Sequence, residues 1–178
     1  MGKDNQQILM EWYDMYYEDI YRFILYMIGD QQVCEDFVHD TFVRAYSAMA
    51  GFKHQSNVKT WLFSIAKHIV LDEIRKRKRR SIFSLTNVFA DIPSSENVEQ
   101  TVQNRDEVRQ ILTEISKLKP NYRMVVILKN IEECSTKEIA AILNWSESKV
   151  RKTLSRATVA LKKASGMKGG GQIEQITR

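Results

Sequence analysis

Residues Ser135 to Lys163 read STKEIAAILNWSESKVRKTLSRATVALKK, and this stretch decides the fold. Ile139, Ala140 and Leu143 mark a short first helix, and Asn144-Trp145-Ser146 interrupts it. Val150, Leu154, Ala157 and Leu161 then recur on one face of a longer second helix. The opposite face carries Lys149, Arg151, Lys152, Ser155 and Arg156. Ser135 with Glu138 fits a capping box, and Ser146 is a favourable N-cap. Ala140 and Ala141 are expected where the two helices approach closely. Two helices joined by a tight turn, the second of them basic, form a helix-turn-helix whose second helix suits a DNA major groove. A helical hairpin with a solvated charged face is the plainer reading of the same residues.

Working outward, the rest of the chain is also helical. Its 178 residues include only 2 prolines and 7 glycines, and no alternating apolar–polar run signals a strand. A first helix is expected from Met10 to Ile28, striped by Tyr13, Tyr16, Tyr17, Ile20, Ile24 and Met27 and stopped at Gly29-Asp30. A second is expected from Gln32 to Ala50, buried through Val33, Phe37, Val38, Thr41, Phe42, Ala45 and Met49. Glu35, Asp36, Asp40 and Arg44 are left on its outer face. The polar loop Phe52–Lys59 suits either a ligand contact or a connector. A third helix is expected from Val58 to Arg79, with Trp61, Leu62, Ile65, Ala66, Ile69, Val70 and Ile74 inward. Lys59, Phe63, Lys67, His68, Asp72, Arg75 and Lys76 are expected outward. Its end is a run of six cations, Arg75 to Arg80, favourable at a helix C-terminus and suited to phosphate.

Periodicity then fades, and residues 81–104 read as a linker. Another helix, striped by Val108, Ile111, Leu112 and Ile115, is expected to end near Leu118-Lys119-Pro120. A further one, with Tyr122, Val125, Val126, Leu128 and Ile131, would support the helix-turn-helix. The expected architecture is all-α: two small helical domains, 1–80 and 105–165, a flexible linker, and a disordered tail over 166–178.

The net charge of +5 is unevenly spread, acidic before Lys59 and strongly basic over Lys67–Arg80, which suggests nucleic acid met at selected faces. Cys34 and Cys134 lack disulfide or metal spacing and read as thiols in a reducing cytoplasm. Trp12–Ile28 is too polar for a membrane span or signal peptide. No Ser/His/Asp, Cys/His, glycine-rich phosphate loop or metal constellation can be assembled, so neither enzyme activity nor a cofactor is expected.

These residues resemble the extracytoplasmic-function sigma factors, the small two-domain branch of the sigma-70 family. Glu35-Asp36-Phe37-Val38-His39-Asp40-Thr41-Phe42 is similar to that family's polymerase-docking signature. Lys59 to His68, with Asp72 and Arg75, is similar to its promoter-melting helix. Leu118 to Arg123 with Ser135 to Arg156 is similar to its −35-binding domain. The resemblance implies docking on the clamp and flap of core RNA polymerase, with clamp contacts on Glu35, Asp36, Asp40 and Arg44. It implies single-stranded −10 DNA held by Phe52, Lys53, Trp61, Phe63, Lys67, His68, Arg75, Lys76 and Arg79. It implies −35 duplex read by Lys152 and Arg156, with Ser155 assisting and Lys149 and Arg151 nearer phosphate. It further implies a membrane-associated anti-sigma partner and a linker whose acidic residues mimic nucleic acid inside the polymerase. The chain departs from the family pattern at His39-Asp40, His68 and Trp145. A stand-alone helix-turn-helix repressor and an RNA-binding regulator are the rival readings.

Overall fold

The computed structural model describes residues 4–52, 56–81 and 112–164. Among them all regular structure is helical: α1 (Asn5–Ile28), α2 (Gln31–Ala48), α3 (Val58–Ser81), α4 (112–117), α5 (Pro120–Val126), α6 (Thr136–Leu143) and α7 (Glu147–Ala164). The expected linker beyond Ser81, the expected helical residues Val108 and Ile111 and the tail lie outside the described residues, as do Lys53, His54 and Gln55.

Helices α1, α2 and α3 pack pairwise into an N-terminal bundle. Helix α1 begins at Asn5, earlier than Met10, because the polar residues Asn5-Gln6-Gln7 extend it instead of preceding it. It ends where Gly29 adopts a left-handed φ of 71° and returns its N–H to the Leu25 carbonyl, a conformation glycine reaches without strain. Asp30 then caps α2 by accepting from the Gln32 N–H at 3.1 Å. Helix α2 stops at Ala48, and a 3₁₀ turn over Met49–Gly51 takes its place to the expected end. Asn57 caps α3, its Oδ1 accepting from the Thr60 N–H at 2.6 Å.

Helix α5 starts at Pro120, whose missing N–H costs nothing in a first turn. The backbone then widens into a π turn over Ile127–Ile131. Arg123 on α5 is buried and donates to the carbonyls of Met27 at 2.7 Å, Leu118 at 3.2 Å, and Ser116. Burial lowers its pKa from the ordinary arginine value.

The two helical units share one apolar core, running from Phe23, Leu62 and Val70 to Ile115, Leu128, Ile139, Ile142 and Val150. Helix α6 packs against α3, and α1 touches α5 and the π turn. Cys34 and Cys134 are both free and buried, and desolvation pushes each thiol up to about 12.

Candidate nucleic-acid interface

The helix-turn-helix forms as its sequence dictates. Ser135 Oγ accepts from the Glu138 N–H at 3.2 Å, and Glu138 Oε2 accepts from the Ser135 N–H at 2.8 Å, closing the capping box. These bonds lower the Glu138 carboxyl pKa, the Ser135 backbone N–H contributing most. Asn144 takes a left-handed φ of 54° at the end of α6, and the Trp145 N–H reaches back to Ala140 at 2.9 Å. Ser146 Oγ caps α7 through the Lys149 N–H at 3.2 Å. Val150, Ala157 and Leu161 are buried, as is Ala140. Ala141 is exposed, so it does not form the close approach expected of it.

Lys149, Arg151, Lys152, Ser155 and Arg156 are all exposed along α7. Their side chains are not equivalent. Arg151 is bound to Glu147 one turn earlier at 2.7 Å. The Lys149 ammonium lies 4.1 Å from the centre of the Trp145 ring, a cation–π distance. Among the described residues, Lys152 and Arg156 have no ion-pair partner.

The α3 surface differs more from expectation. Phe63 is fully buried, its ring edge-on to Phe23 with centroids 5.3 Å apart. It belongs to the core and not to an outward face, because the stripe that buries Leu62, Ala66 and Val70 is wide enough to include it. Lys67 is also buried, at 8% exposure, and donates to the Ile142 carbonyl of α6 at 2.9 Å. Desolvation lowers its pKa. Trp61 stacks on Phe52 with centroids 4.5 Å apart, and Trp12 meets both edge-on. His68 is exposed, its Nδ1 2.7 Å from the Ser64 carbonyl oxygen. Arg75, Lys76 and Arg79 are exposed, Arg75 pairing with Asp72. Arg77, within the same cationic run, is turned back onto Asp30 and Glu73.

Glu35, Asp36, Asp40 and Arg44 share the exposed side of α2 with the apolar Val43 and Tyr46. That apolar pair escaped the sequence reading, which credited only charge to this face.

Also unforeseen is a charged cluster between the units. Glu132, just after the π turn, has a side chain with 0% exposure. Arg22 of α1 grips it with Nε at 2.8 Å and Nη2 at 2.9 Å. Lys59 of α3 lies 3.9 Å from Glu132 and 2.9 Å from Asp19. The grip of Glu132 raises the Arg22 pKa, while burial pushes the Glu132 carboxyl up. No local sequence signal joins residues 22 and 132.

Comparison with known proteins settles the family. The profile for Sigma-70 region 2 matches residues 12–80, and that for Sigma-70, region 4 matches residues 108–161. The chain is 36% identical over 155 residues to the ECF RNA polymerase sigma factor SigM of Bacillus subtilis, covering 85% of this chain and 91% of that protein. This chain belongs to the ECF RNA polymerase sigma factors.

The sigma factor YlaC of the same organism is 33% identical over 159 residues, covering 85% of this sigma factor and 88% of YlaC. In fold it matches the sigma factor RpoE solved with the anti-sigma factor NepR from Bartonella quintana. That match has a TM-score of 0.74 at 21% identity and covers 90% of this chain and 98% of that one. As a family member this sigma factor is a transcription initiation factor, with most of the helix-turn-helix in the region 4 match and most of α1–α3 in the region 2 match. Among its described residues no helix is long and apolar enough to cross a membrane.

Proposed function

We propose a division of labour in which residues 1–80 dock on core RNA polymerase and open the −10 element, while residues 105–165 read the −35 element. The exposed α7 row carries the −35 reading. Arg156 and Lys152, with no ion pair among the described residues to hold them back, contact base edges. Arg151, restrained by Glu147, and Lys149, over Trp145, contact phosphate. Ser155, exposed between them, assists.

Region 2 docks through Glu35, Asp36, Asp40 and Arg44, with Val43 and Tyr46 adding apolar contact. Trp61 and Phe52 form the stacking wall for −10 bases, and Lys53 and His68 are assigned to the same strand. Arg75, Lys76 and Arg79 hold backbone phosphates, and Lys67 joins them where α6 does not cover it. Phe63 serves by packing. An anti-sigma factor is a further partner, on the precedent of the NepR complex, and the protein acts in the cytoplasm without catalysis of its own. A stand-alone repressor is set aside, since one chain carries matches to both sigma-70 regions.

The test is promoter selection by the reconstituted holoenzyme. Arg156→Ala relaxes preference at one or two −35 positions, costing about 1–3 kcal/mol there. A uniform loss over all sequences would make Arg156 a phosphate contact. Replacing Arg75, Lys76 and Arg79 together flattens the salt dependence of promoter binding. An unchanged slope would remove them from the interface.

A further inference from the structure

Trp145 is a departure from the family pattern to which the division of labour gives no role of its own. It sits in the turn of the helix-turn-helix, between Asn144 and the Ser146 cap. Its place is well fixed. The backbone N–H donates to the Ala140 carbonyl at 2.9 Å. The ring is half-buried and packs against the apolar core. The indole is therefore a rigid platform at the edge of the exposed basic row.

Lys149 lies one turn along α7 and is held at three points. Its N–H donates to Ser146 Oγ at 3.2 Å. Its carbonyl accepts from Thr153 Oγ1 at 2.8 Å. Its ammonium lies 4.1 Å from the centre of the Trp145 ring. The first two bonds fix the backbone from which the side chain springs, and the ring fixes the tip.

Two cations near the start of α7 are each held by the residue four positions earlier, by different means. Glu147 holds Arg151 through an ion pair at 2.7 Å. That pair offsets the charge a phosphate would meet and occupies part of the guanidinium. An indole attracts an ammonium through its π face. It adds no counter-charge, and it leaves the N–H groups turned away from the ring free for another acceptor. A lysine stem in solvent gives up rotamer freedom when it meets a phosphate. A stem already settled on a rigid ring gives up less, so the same contact binds more strongly.

We propose that Trp145 is a positioning residue for promoter binding: its indole sets the Lys149 ammonium beside the first turns of α7, where it meets a −35 phosphate as a pre-placed charge. Phosphate contacts fix the register of a helix in the groove, so the pair pins one end of α7 against the duplex. The inference rests on Lys149 being a phosphate contact, as set out above.

A double-mutant cycle on the reconstituted holoenzyme tests it. The probe is a promoter duplex selected by the native holoenzyme from a randomised pool, and affinity is measured across a salt series. K149Q is expected to weaken binding and to lower the salt slope by about 1. W145L, which keeps every charge, is expected to weaken binding by about two- to fivefold. In the K149Q background the same change is expected to cost less than about 1.5-fold, because the group it positions is gone. W145F, with a weaker π face, falls between native and W145L when Lys149 is present. Thermal unfolding of each variant checks the fold; if W145L is unfolded, the cycle is read from W145F by the same criterion. An equal loss in both backgrounds overturns the proposal, since it marks either a direct Trp145 contact with DNA or a damaged turn. Native affinity in W145L overturns it too. If K149Q changes neither affinity nor slope, the phosphate reading of Lys149 falls, and the positioning role falls with it. If K149Q does weaken binding while the two changes are additive, the phosphate reading stands and the positioning role alone is lost.

Discussion

Phe63 offers the sharpest separation of structural from nucleic-acid roles on α3. Its ring is fully buried against Phe23, with an interplanar angle of 72°, and the Lys59 ammonium caps it 5.7 Å from the centroid. Truncation to alanine removes a buried aromatic side chain that no neighbour can replace without backbone movement. That costs about 3–5 kcal/mol, a large part of a typical domain's 5–15 kcal/mol. Phe63→Leu keeps most of the apolar volume. It loses the edge-to-face pair, about 0.5–1.5 kcal/mol, and leaves a methyl-sized void worth roughly 1 kcal/mol. Urea unfolding followed by tryptophan fluorescence measures both, since Trp12 and Trp61 sit in the same bundle. Binding of −10 single-stranded DNA by the F63L holoenzyme stays within about twofold of native. A stacking role predicts the reverse pattern: little change in stability and a loss of about 1–3 kcal/mol in strand binding. That pattern, in either variant, would refute the assignment of Phe63 to the core.

Three other outcomes follow from groups whose surroundings are equally well defined. Arg123→Lys keeps the charge but cannot span the Met27, Ser116 and Leu118 carbonyls, so it lowers stability by about 1.5–3 kcal/mol in thermal or urea unfolding. Cys34 and Cys134, with thiols pushed up to about 12 by burial, react with a thiol reagent more than tenfold more slowly in the native protein than in denaturant, and raising the pH to about 9 does not close that gap. Glu138 has its carboxyl lowered below the ordinary value of 4.5 by the capping bonds; its contribution is present above that value and is lost as pH falls through the depressed folded pKa. E138Q, which still closes the box, therefore abolishes that acid-range slope in a plot of stability against pH.

Much of the fold was legible because its signals are local. Gly29, Ser135 with Glu138, Ser146 and the Val150–Leu161 stripe each act within one or two helical turns, and each behaves as its residue type requires. The exposed basic row on α7 was legible for the same reason. Errors arose where a helix is buried on more than one side. An amphipathic stripe gives the centre of the buried face but not its width, so Phe63 was expected outside when the core reaches round to enclose it. Lys67 is a different case. A lysine reads as solvated unless a distant segment covers it, and the covering carbonyl belongs to Ile142, 75 positions away. The same distance in sequence hid Arg22 with Glu132, and Asn57 with Glu138. Within the basic run, only the fold separates Arg77, committed to Asp30 and Glu73, from its exposed neighbours.

The Gly29-Asp30 joint bears on how the chain folds. Two residues connect α1 to α2, so pairing these helices closes a very short loop at small entropic cost. Asp30 caps α2, receives the Cys34 thiol on its carbonyl at 3.0 Å, and binds Arg77 from the far end of α3 at 2.9 Å. The first two contacts are available as soon as the hairpin turns, whereas the third waits for α3 to arrive. The α1–α2 hairpin is thus the natural early nucleus, with Arg77 acting later as its fastener. A substitution at Asp30 slows folding through the lost cap, while one at Arg77 leaves the folding rate nearly unchanged and speeds unfolding.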